Sequence, residues 1–498
     1  MESNHRQQPS WGFHLKQRSA HSRLGGIISL AVLLSARCVL AQSAPFSPDH
    51  PWHASAELKI EADAKTYSDF RFNIDPAKTY SLADLIDLAE IHNPDTRVAW
   101  QRARSKAAAL GVARSELYPT LAAAALSQVD RSEAYLVNRF YRQTMGDFQI
   151  ALELNYTIFD FGARSGRIDA ASARTLAADL AFNDTHRWVI YAVEHAYYQL
   201  LAALGQEEAA RASLSNAKNV QQAAEDRLAN GLATLPDVLE AKSAAAQAEY
   251  ELQAVLGNED IARGNLATAI GTAPTSAIRV QPLVDLPTPD SIDDTVEHAI
   301  DRALASRPDL LKQVAEVRAA KATVKEARAA FYPSLTFNAV PIVQSLYGLQ
   351  QTFPWGHTAG LTGGLAVNLK WTVFDGGARK KKLVEAKADV QANETQVNAI
   401  RDQVADQVWI AYSNLNTAFR QRQAAVALLE AASQSYSAAL ESYNYGLRNL
   451  LDVTAAQRTL AQARSADVLA RAQVLTSLAD LAFATGDSIR GGNARPAP

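Results

Sequence analysis

The sequence predicts a duplicated α+β membrane protein in which long helical hairpins alternate with pairs of membrane-length strands. Three observations predict this class. A repeat with an offset of 214 or 215 residues runs through most of the 498 residues, two segments alternate between apolar and polar side chains, and two long stretches contain no proline. A repeat kept at one offset means that a single order of elements is used twice.

Short motifs at element boundaries carry the repeat. Tyr156–Arg164 (YTIFDFGAR) returns as Trp371–Arg379 (WTVFDGGAR). Three further motifs, Asn93-Pro94-Asp95, Tyr118-Pro119 and Gly231-Leu232, return as Arg307-Pro308-Asp309, Tyr332-Pro333 and Gly446-Leu447. Since the residue before a proline is restricted to extended conformations, each X-Pro motif predicts a boundary between two elements.

Residues 1–41 are predicted to be a cleaved secretory signal. Basic residues precede an apolar run at Leu24–Ala36, and Val39-Leu40-Ala41 has the small residue that signal peptidase requires. The alternative is a membrane anchor, but this run is too short to span the hydrocarbon core. Cys38, the only cysteine, lies inside this segment, and Arg37 stands where a lipoprotein signal has a small residue. We therefore expect no lipid attachment.

Composition excludes several classes of function. Residues 1–41 hold five basic and one acidic residue, so their removal changes the net charge from −3 to −7. An acidic chain without a basic patch does not bind nucleic acid. The sequence also contains no H-E-x-x-H motif, no G-x-S-x-G motif and no phosphate-binding glycine loop. We predict that the chain is not an enzyme and has no cofactor or metal site.

Each copy is predicted to begin with two shorter helices. After a polar lead-in at residues 42–79, Ser81 caps the first helix, and Asp84 is placed to complete a capping box. Asn93-Pro94 separates this helix from a second one, which runs to about Leu117.

The alternating segments are predicted to be membrane-spanning strands. Phe148–Ile158 and Leu365–Val373 place apolar side chains at every second position, and each is close to the roughly 9–11 residues that a tilted strand needs to cross a bilayer. A weaker strand precedes each segment, beginning at Leu121 and Leu335. A long loop is expected within each hairpin, and the second of these, Gln344–Gly364, is rich in glycine and aromatic residues.

A long helix is predicted to follow each strand pair. Asp160 and Asp375 are placed as the N-caps, and the adjacent glycines allow the backbone to turn from strand to helix. Each helix is expected to be about 68 residues, or near 100 Å, long. An apolar stripe such as Val189, Val193 and Tyr197 has spacings of three and four, which predicts a coiled-coil seam.

Both long helices are predicted to fold back at a glycine, Gly231 or Gly446. A second helix returns from Asp237 or Asp452, so each copy ends in an antiparallel helical hairpin. The predicted organisation is therefore a signal at 1–41, a lead-in at 42–79, a first copy at 80–272 with strands at about 120–159 and a helical hairpin at 162–270, a linker at 273–290, a second copy at 291–486 with strands at about 334–374 and a helical hairpin at 376–485, and a tail at 487–498.

Four strands per chain cannot close a barrel, and open sheet edges are not tolerated in lipid. Self-association into a dimer, trimer or tetramer would each solve this problem, and the residues alone do not choose among them. The alternative of a half-buried soluble sheet is disfavoured by export and by the aromatic residues at the strand ends (Tyr118, Tyr332 and Trp371), where an interfacial girdle would lie.

Taken in order, these motifs resemble the TolC-like outer membrane efflux proteins, the outer membrane factors. The resemblance covers about residues 80–486 and includes Phe374–Arg379 (FDGGAR) and the glycine followed by Asp-Val at each hairpin tip. It implies a homotrimer whose twelve-stranded barrel lies in outer-membrane lipid and continues into a periplasmic α-helical barrel. It also implies a passive exit duct of a tripartite efflux or type I secretion system, opened by a periplasmic adaptor and an inner-membrane pump. The alternative, a structural coiled-coil protein of the periplasm without a channel, would need no alternating strands.

The resemblance further implies a periplasmic gate at the helical tips. Tyr443 and Arg448 match the donors of the family's closing contacts, and Asp237 matches the acidic acceptor. Asp452 matches the first acid of the ring at the narrowest point of the pore, whereas Ala455 replaces the second acid. Three Asp452 carboxylates about a threefold axis would still attract cations.

Other roles stay open for these residues. Arg448 could neutralise a helix end, and Asp452 could be an N-cap. Pro236 replaces a hydroxyl-bearing residue of the family, so one closing contact is expected to be missing. Four tip residues are expected to dock the adaptor: Gly231, Leu232, Gly446 and Leu447.

Overall fold

The computed structural model describes residues 57–66, 72–136, 138–283, 286, 289, 291, 294–350 and 353–487. The predicted signal, including Cys38, and nearly all of the predicted tail lie outside these residues. The chain separates into two compact units, 1–70 and 71–498. In the first, the described residues form helix α1 (Glu57–Thr66); everything below concerns the second.

The two copies follow the same order of elements with nearly equal lengths. The first contains α2 (Leu82–His92), α3 (Pro94–Ser115), β2 (Thr120–Leu136), β3 (Arg139–Phe159), α4 (Ala163–Ala229) and α5 (Leu235–Ile270). The second contains α6 (Val296–Ser306), α7 (Pro308–Ala329), β5 (Ser334–Gln350), β6 (Phe353–Lys370), α8 (Ala378–Asn444) and α9 (Leu450–Thr485). A short parallel pair, β1 (Thr79–Tyr80) and β4 (Arg279–Val280), joins the start of the first copy to the segment between the copies.

Local hydrogen bonds explain where the helices begin. The capping box predicted at Ser81 is confirmed, because the amide of Asp84 donates to the Ser81 hydroxyl and the amide of Ser81 donates to the Asp84 carboxylate. The prediction that Asp160 is an N-cap is wrong. The N-cap is Gly162, whose φ of 95° is left-handed, while Asp160 accepts from the amides of Gly162 and Arg164 from two residues upstream.

The second copy repeats this arrangement, so the N-cap prediction is also wrong for Asp375. Gly377 is the N-cap, with a φ of 90°. Asp375 accepts from the amides of Gly377 (3.0 Å) and Arg379 (3.1 Å) and pairs with the Arg379 guanidinium at 2.6 Å. A left-handed cap favours glycine, and the aspartate before it still satisfies the free amides of the first turn.

The four long strands form one antiparallel sheet in the order β2-β3-β5-β6. The strands β3 and β5 pair across the repeat, so that Ile150 lies between Ala125 of β2 and Val343 of β5. The outer edges of β2 and β6 have no partner strand within the described residues of this chain. One chain therefore supplies an open sheet.

The strands are longer than the sequence predicts, with 17, 21, 17 and 18 residues. The prediction of a long loop is wrong for both hairpins. In the first, β2 ends at Leu136 and β3 begins at Arg139, and in the second the described residues of Gln344–Gly364 lie in β5 and β6. The strand predicted to reach Val373 instead ends at Lys370. Pairing between β5 and β6 continues far past the alternating segment, since backbone hydrogen bonds do not require an apolar face.

One glycine of that segment has a strand role of its own. Gly363 lies opposite Pro341 in the register and has a φ of 140°. A Cβ atom there would lie 2.2 Å from the carbonyl oxygen of Val340. Glycine therefore permits a close approach of two strands. In the sequence alone, a strand glycine of this kind cannot be distinguished from a loop glycine.

On the central strand β3, the apolar face is the more exposed of the two. Ile150 is 48% exposed. Asp147, on the opposite face of β3, is 9% exposed and accepts a hydrogen bond from Gln344 at 3.0 Å. Three asparagines, Asn155, Asn338 and Asn368, also hydrogen-bond to one another across β3, β5 and β6. A soluble sheet buries its apolar face, so this inverted arrangement is the one expected of a lipid-facing sheet with a polar interior.

The helices pack through the stripe that the sequence predicts. Val193, Tyr197 and Leu200 are fully buried on α4, and Val404 and Val408 are fully buried on α8. Farther along, alanines such as those of α4 and α5 form most of the contact, which allows the helix axes to approach closely. By length and composition α9 could also cross a membrane, but much of its apolar surface packs against α4 and α8 in this chain.

Two buried arginines fix the C-terminal end of α9. Arg187 of α4 is 1% exposed, donates to the carbonyl oxygen of Phe483 at 3.0 Å and pairs with Asp184 at 2.7 Å. Arg307, in the turn before α7, donates to the carbonyl oxygen of Ala484 at 3.1 Å. Helix C-terminal carbonyls lack intrahelical partners, so these arginines cap α9 and hold it against both copies.

Candidate gate at the tips of the helical hairpins

Both hairpin tips are built on the same turn. Gly231 and Gly446 have φ values of 74° and 77°, and in each tip the next residue donates its amide to a carbonyl five residues back, Leu232 to Arg227 (2.7 Å) and Leu447 to Ser442 (2.8 Å). This is the Schellman arrangement, which needs a left-handed residue after the helix. A Cβ atom at either position would meet open space. Glycine is therefore required for its left-handed backbone conformation and not to make room for a neighbour.

The tips expose apolar side chains to solvent. Leu447 is 80% exposed and Leu232 is 68% exposed, although both follow well-formed helix ends. Three more leucines are exposed within the first turns of the return helices: Leu235, Leu239 and Leu451. Clustered exposed apolar residues of this kind mark protein contact surfaces.

Asp237 lies in the first turn of α5 and completes a capping box with Thr234. Its carboxylate accepts from the Thr234 amide (2.8 Å) and from the Thr234 hydroxyl (2.7 Å). Both bonds lower the pKa of Asp237, and the bond from the hydroxyl has the larger effect. The side chain is therefore ionised at neutral pH. Within one chain the predicted acceptor is therefore already hydrogen-bonded.

Asp452 lies at the matching position of α9, but the alternative role of N-cap is wrong for it. Asn449 is the N-cap, and its side chain accepts from the amide of Asp452 at 3.0 Å. The Asp452 side chain is exposed. An asparagine one turn earlier satisfies the helix start, which leaves the carboxylate free for a role outside its own helix.

Tyr443 is buried between the two hairpins at 5% exposure. It packs in a cluster with Val220 and Ala224 of α4 and with Leu450 and Val453 of α9. Its hydroxyl has no hydrogen-bond partner among the described residues. Burial raises the pKa of the Tyr443 phenol, and the charge of Asp237 raises it further while Arg227 opposes this.

Arg227, which the sequence does not single out, makes a direct contact between the two tips. Its guanidinium donates to the carbonyl oxygens of Tyr443 (2.9 Å) and Asn444 (3.3 Å) and lies 4.6 Å from the centre of the Tyr443 ring. The available signal was a basic residue in the last turn of α4 where the second copy has Ser442. Its partners are backbone carbonyls of the other hairpin, which no sequence pattern reveals.

Arg448 stands apart from the other predicted gate residues. It is exposed, and within the described part of this chain no hydrogen bond or ion pair involves its side chain. The structure thus brings Tyr443 close to Asp237 and to Arg227, but it does not bring Arg448 to Asp237 within one chain.

Comparison with known proteins assigns this architecture. The model of the outer membrane efflux protein family matches residues 85–272 and 299–487, which are the two copies of the repeat. The chain belongs to the outer membrane efflux protein family. As a member, it is located in the outer membrane and extends into the periplasm.

Individual relatives span most of the chain. Protein CyaE of Bordetella pertussis is 28% identical over 408 residues, which cover 82% of this chain and 84% of that protein. The pyoverdine export outer membrane protein OpmQ of Pseudomonas aeruginosa is 27% identical over 410 residues, covering 80% and 84%. The family resemblance inferred from the motifs is confirmed.

Solved structures show the same fold. A membrane protein from Pseudomonas aeruginosa superposes with a TM-score of 0.72 at 25% identity, covering 84% of this chain and 95% of that one. The outer membrane protein VceC from Vibrio cholerae gives a TM-score of 0.68 at 22% identity, covering 81% and 96%. The fold of this family member is therefore helical with β-strands, as predicted, while the sheet of one chain remains open.

Proposed function

We propose that three copies of this chain assemble into the outer-membrane exit duct of a tripartite efflux or type I secretion system. The observation that carries the proposal is the open sheet, whose apolar face is exposed and whose outer strands β2 and β6 lack partners within the described residues. Unpaired strand edges are not stable in hydrocarbon. Pairing of β2 with β6 of the next copy would remove every edge and give a twelve-stranded barrel.

The duct acts passively in this proposal. The chain contributes the barrel and the helical tube, and the partner pump supplies the driving force. The relative named for pyoverdine export supports an export role, since that protein matches this chain over four fifths of its length. The exposed apolar sheet counts against a purely structural periplasmic coiled coil, which would have no use for a lipid-facing surface.

Docking of a periplasmic adaptor is proposed at the two tips. Gly231 and Gly446 shape the turns that present the exposed side chains of Leu232 and Leu447. An adaptor with an apolar cleft would cover these leucines. The inner-membrane pump would then engage the duct through the adaptor.

The gate is proposed to lie just inside these tips. Arg448 is free to reach Asp237 of a neighbouring copy, where a guanidinium and a carboxylate form a strong but breakable contact near water. Tyr443 anchors the same region from within the chain. Asp452 supplies one exposed carboxylate per copy, and three of them around the axis would favour cations.

Reconstitution tests the proposal. Purified protein in mild detergent should form a trimer, and its addition to a planar bilayer should give stepwise currents that prefer cations. The protein should also stay with outer membranes after an alkaline wash. Release by the wash, together with a monomer that gives no current, would contradict the proposal.

A further inference from the structure

The Arg227 contact joins the two helical hairpins of one chain at their tips. Arg227 lies in the last turn of α4, and the carbonyls it caps belong to the last turn of α8. The carbonyl of Tyr443 also accepts from the amide of Gly446 at 2.9 Å within the Schellman turn. Because helix C-terminal carbonyls carry the negative end of the dipole, a cation reaching them from another hairpin ties the two hairpins together.

The hydroxyl of Tyr443 takes no part in this contact. It is buried without a hydrogen-bond partner in the described residues, and the nearby carboxylate of Asp237 is bound by Thr234. Tyr443 instead offers its ring face and its carbonyl to Arg227. Both of these features remain when the hydroxyl is removed.

We infer that Arg227 is the positioning residue that holds the tips of one chain together in the closed duct, an inference that rests on the proposed gate. No carboxylate forms an ion pair with Arg227 among the described residues, and its side chain is half-buried. The contact therefore consists of one cation–π contact and two charge-assisted hydrogen bonds, which water can replace, while the buried Nε atom has no partner among the described residues. A contact of this kind closes the tips firmly yet releases them without leaving a charge stranded in a core.

Channel recordings of four variants test the assignment. Arg227→Ala is expected to increase the open fraction about fivefold, the factor that corresponds to about 1 kcal/mol. Arg227→Lys is expected to lie between wild type and Arg227→Ala, since an ammonium keeps the charge but lacks the planar fork that reaches two carbonyls. Tyr443→Phe is expected to open the duct less than Arg227→Ala does.

The matched control is Arg458→Ala. Arg458 also bridges the hairpins, at 3.7 Å from Glu240, but it is exposed, so its loss is expected to leave the open fraction unchanged. A larger effect of Tyr443→Phe than of Arg227→Ala, or equal effects of Arg227→Ala and Arg458→Ala, would overturn the inference.

A distance measurement separates this inference from the proposed function. Spin labels at Leu232→Cys and Leu447→Cys, in copies diluted into unlabelled protein, report the separation of the tips within one chain. Arg227→Ala is expected to lengthen and broaden this distance, and Arg227→Lys to restore part of it. Absence of current from the wild type would reject the duct, whereas an unchanged distance in Arg227→Ala would reject the role of Arg227 in holding the tips together.

Discussion

Helix α4 carries an arginine clamp at each of two places, and the two clamps differ in kind. Arg187 caps the end of α9 from a buried position and pairs with Asp184 and, at 3.6 Å, with Asp309. Arg227, about 60 Å farther along at 1.5 Å per residue, caps the end of α8 from a half-buried position without a paired carboxylate among the described residues.

The difference predicts which part of the helical hairpins moves in the proposed duct. Burial lowers the pKa of Arg187 although Asp184 opposes this, and such a charge cannot leave its carboxylates at low cost. Arg227 can exchange its carbonyl partners for water. We therefore expect the helical hairpins to be fixed at Arg187 and releasable at the tips.

The strongest test of the fixed clamp is Asp309→Ala. Asp309 pairs with Arg307 at 2.6 Å and also faces Arg187, so its removal leaves two buried guanidinium groups short of a partner. Loss of one member of a buried pair costs about 3–5 kcal/mol. Urea unfolding of the detergent-solubilised protein should show this loss, and Asp452→Ala, which removes an exposed carboxylate, should unfold like the wild type.

The membrane sheet should be as intolerant as the fixed clamp. Leu152 lies on the exposed apolar face and Glu153 on the other face of β3. A charge at mid-membrane costs roughly 2–4 kcal/mol, so Leu152→Arg should block oligomer assembly while Glu153→Arg permits it. Oligomer yield on a native gel measures both, and equal tolerance of the two would refute a lipid-facing β3.

Glu194 makes the region between the clamps sensitive to pH. Burial raises the pKa of its carboxyl from 4.5 to about 7. Between these two pH values the folded state holds a proton that the unfolded state has lost. Stability should therefore fall by about 2–3 kcal/mol as pH rises from about 4.5 through 7. Glu194→Gln should flatten this dependence in unfolding curves at pH 5 and pH 8. A variant as pH-sensitive as the wild type would exclude Glu194 as the cause.

The smallest effects are expected from the proposed contact between Asp237 and Arg448 of neighbouring copies. Asp237→Ala and Arg448→Ala should each raise conductance without loss of the trimer, because exposed pairs contribute about 0.2–1 kcal/mol. If the two residues form one contact, the double variant should resemble either single variant. Additive conductances would instead assign them independent roles, and a slightly lower thermal stability with wild-type conductance would make Arg448 a helix-end charge.

Some features of this structure can be predicted from the sequence and others cannot, depending on whether the residues that determine them lie within one segment. The element order, the tip glycines and the buried stripe at Val193 and Tyr197 follow from local periodicity and turn chemistry, which act within one segment. The strand lengths do not, because apolar alternation marks the lipid-facing part of a strand and ends before its hydrogen bonding does. Glycines at close strand contacts, such as Gly363, then resemble a loop.

The contacts of the two arginine clamps cannot be predicted from the sequence for a different reason. Arg187 and Arg227 bind backbone carbonyls of helices about 216 to 296 residues away in the chain. A carbonyl is present at every residue, so these contacts leave no complementary side chain to detect. The tip residues Asp237 and Tyr443 could be named through a resemblance, whereas their contact with Arg227 required the packing of two hairpins.

Hydrogen exchange of the assembled wild-type protein tests the fixed and releasable ends most directly, because one experiment measures both. The amides at the end of α9, near Phe483 and Gly486, should exchange slowly, and those at the end of α8, near Gly446 and Leu447, should exchange markedly faster. Arg227→Ala should accelerate exchange at the end of α8 alone. Equal protection at both ends, or acceleration at both in Arg227→Ala, would contradict a proposed duct whose hairpins are fixed at Arg187 and open at their tips.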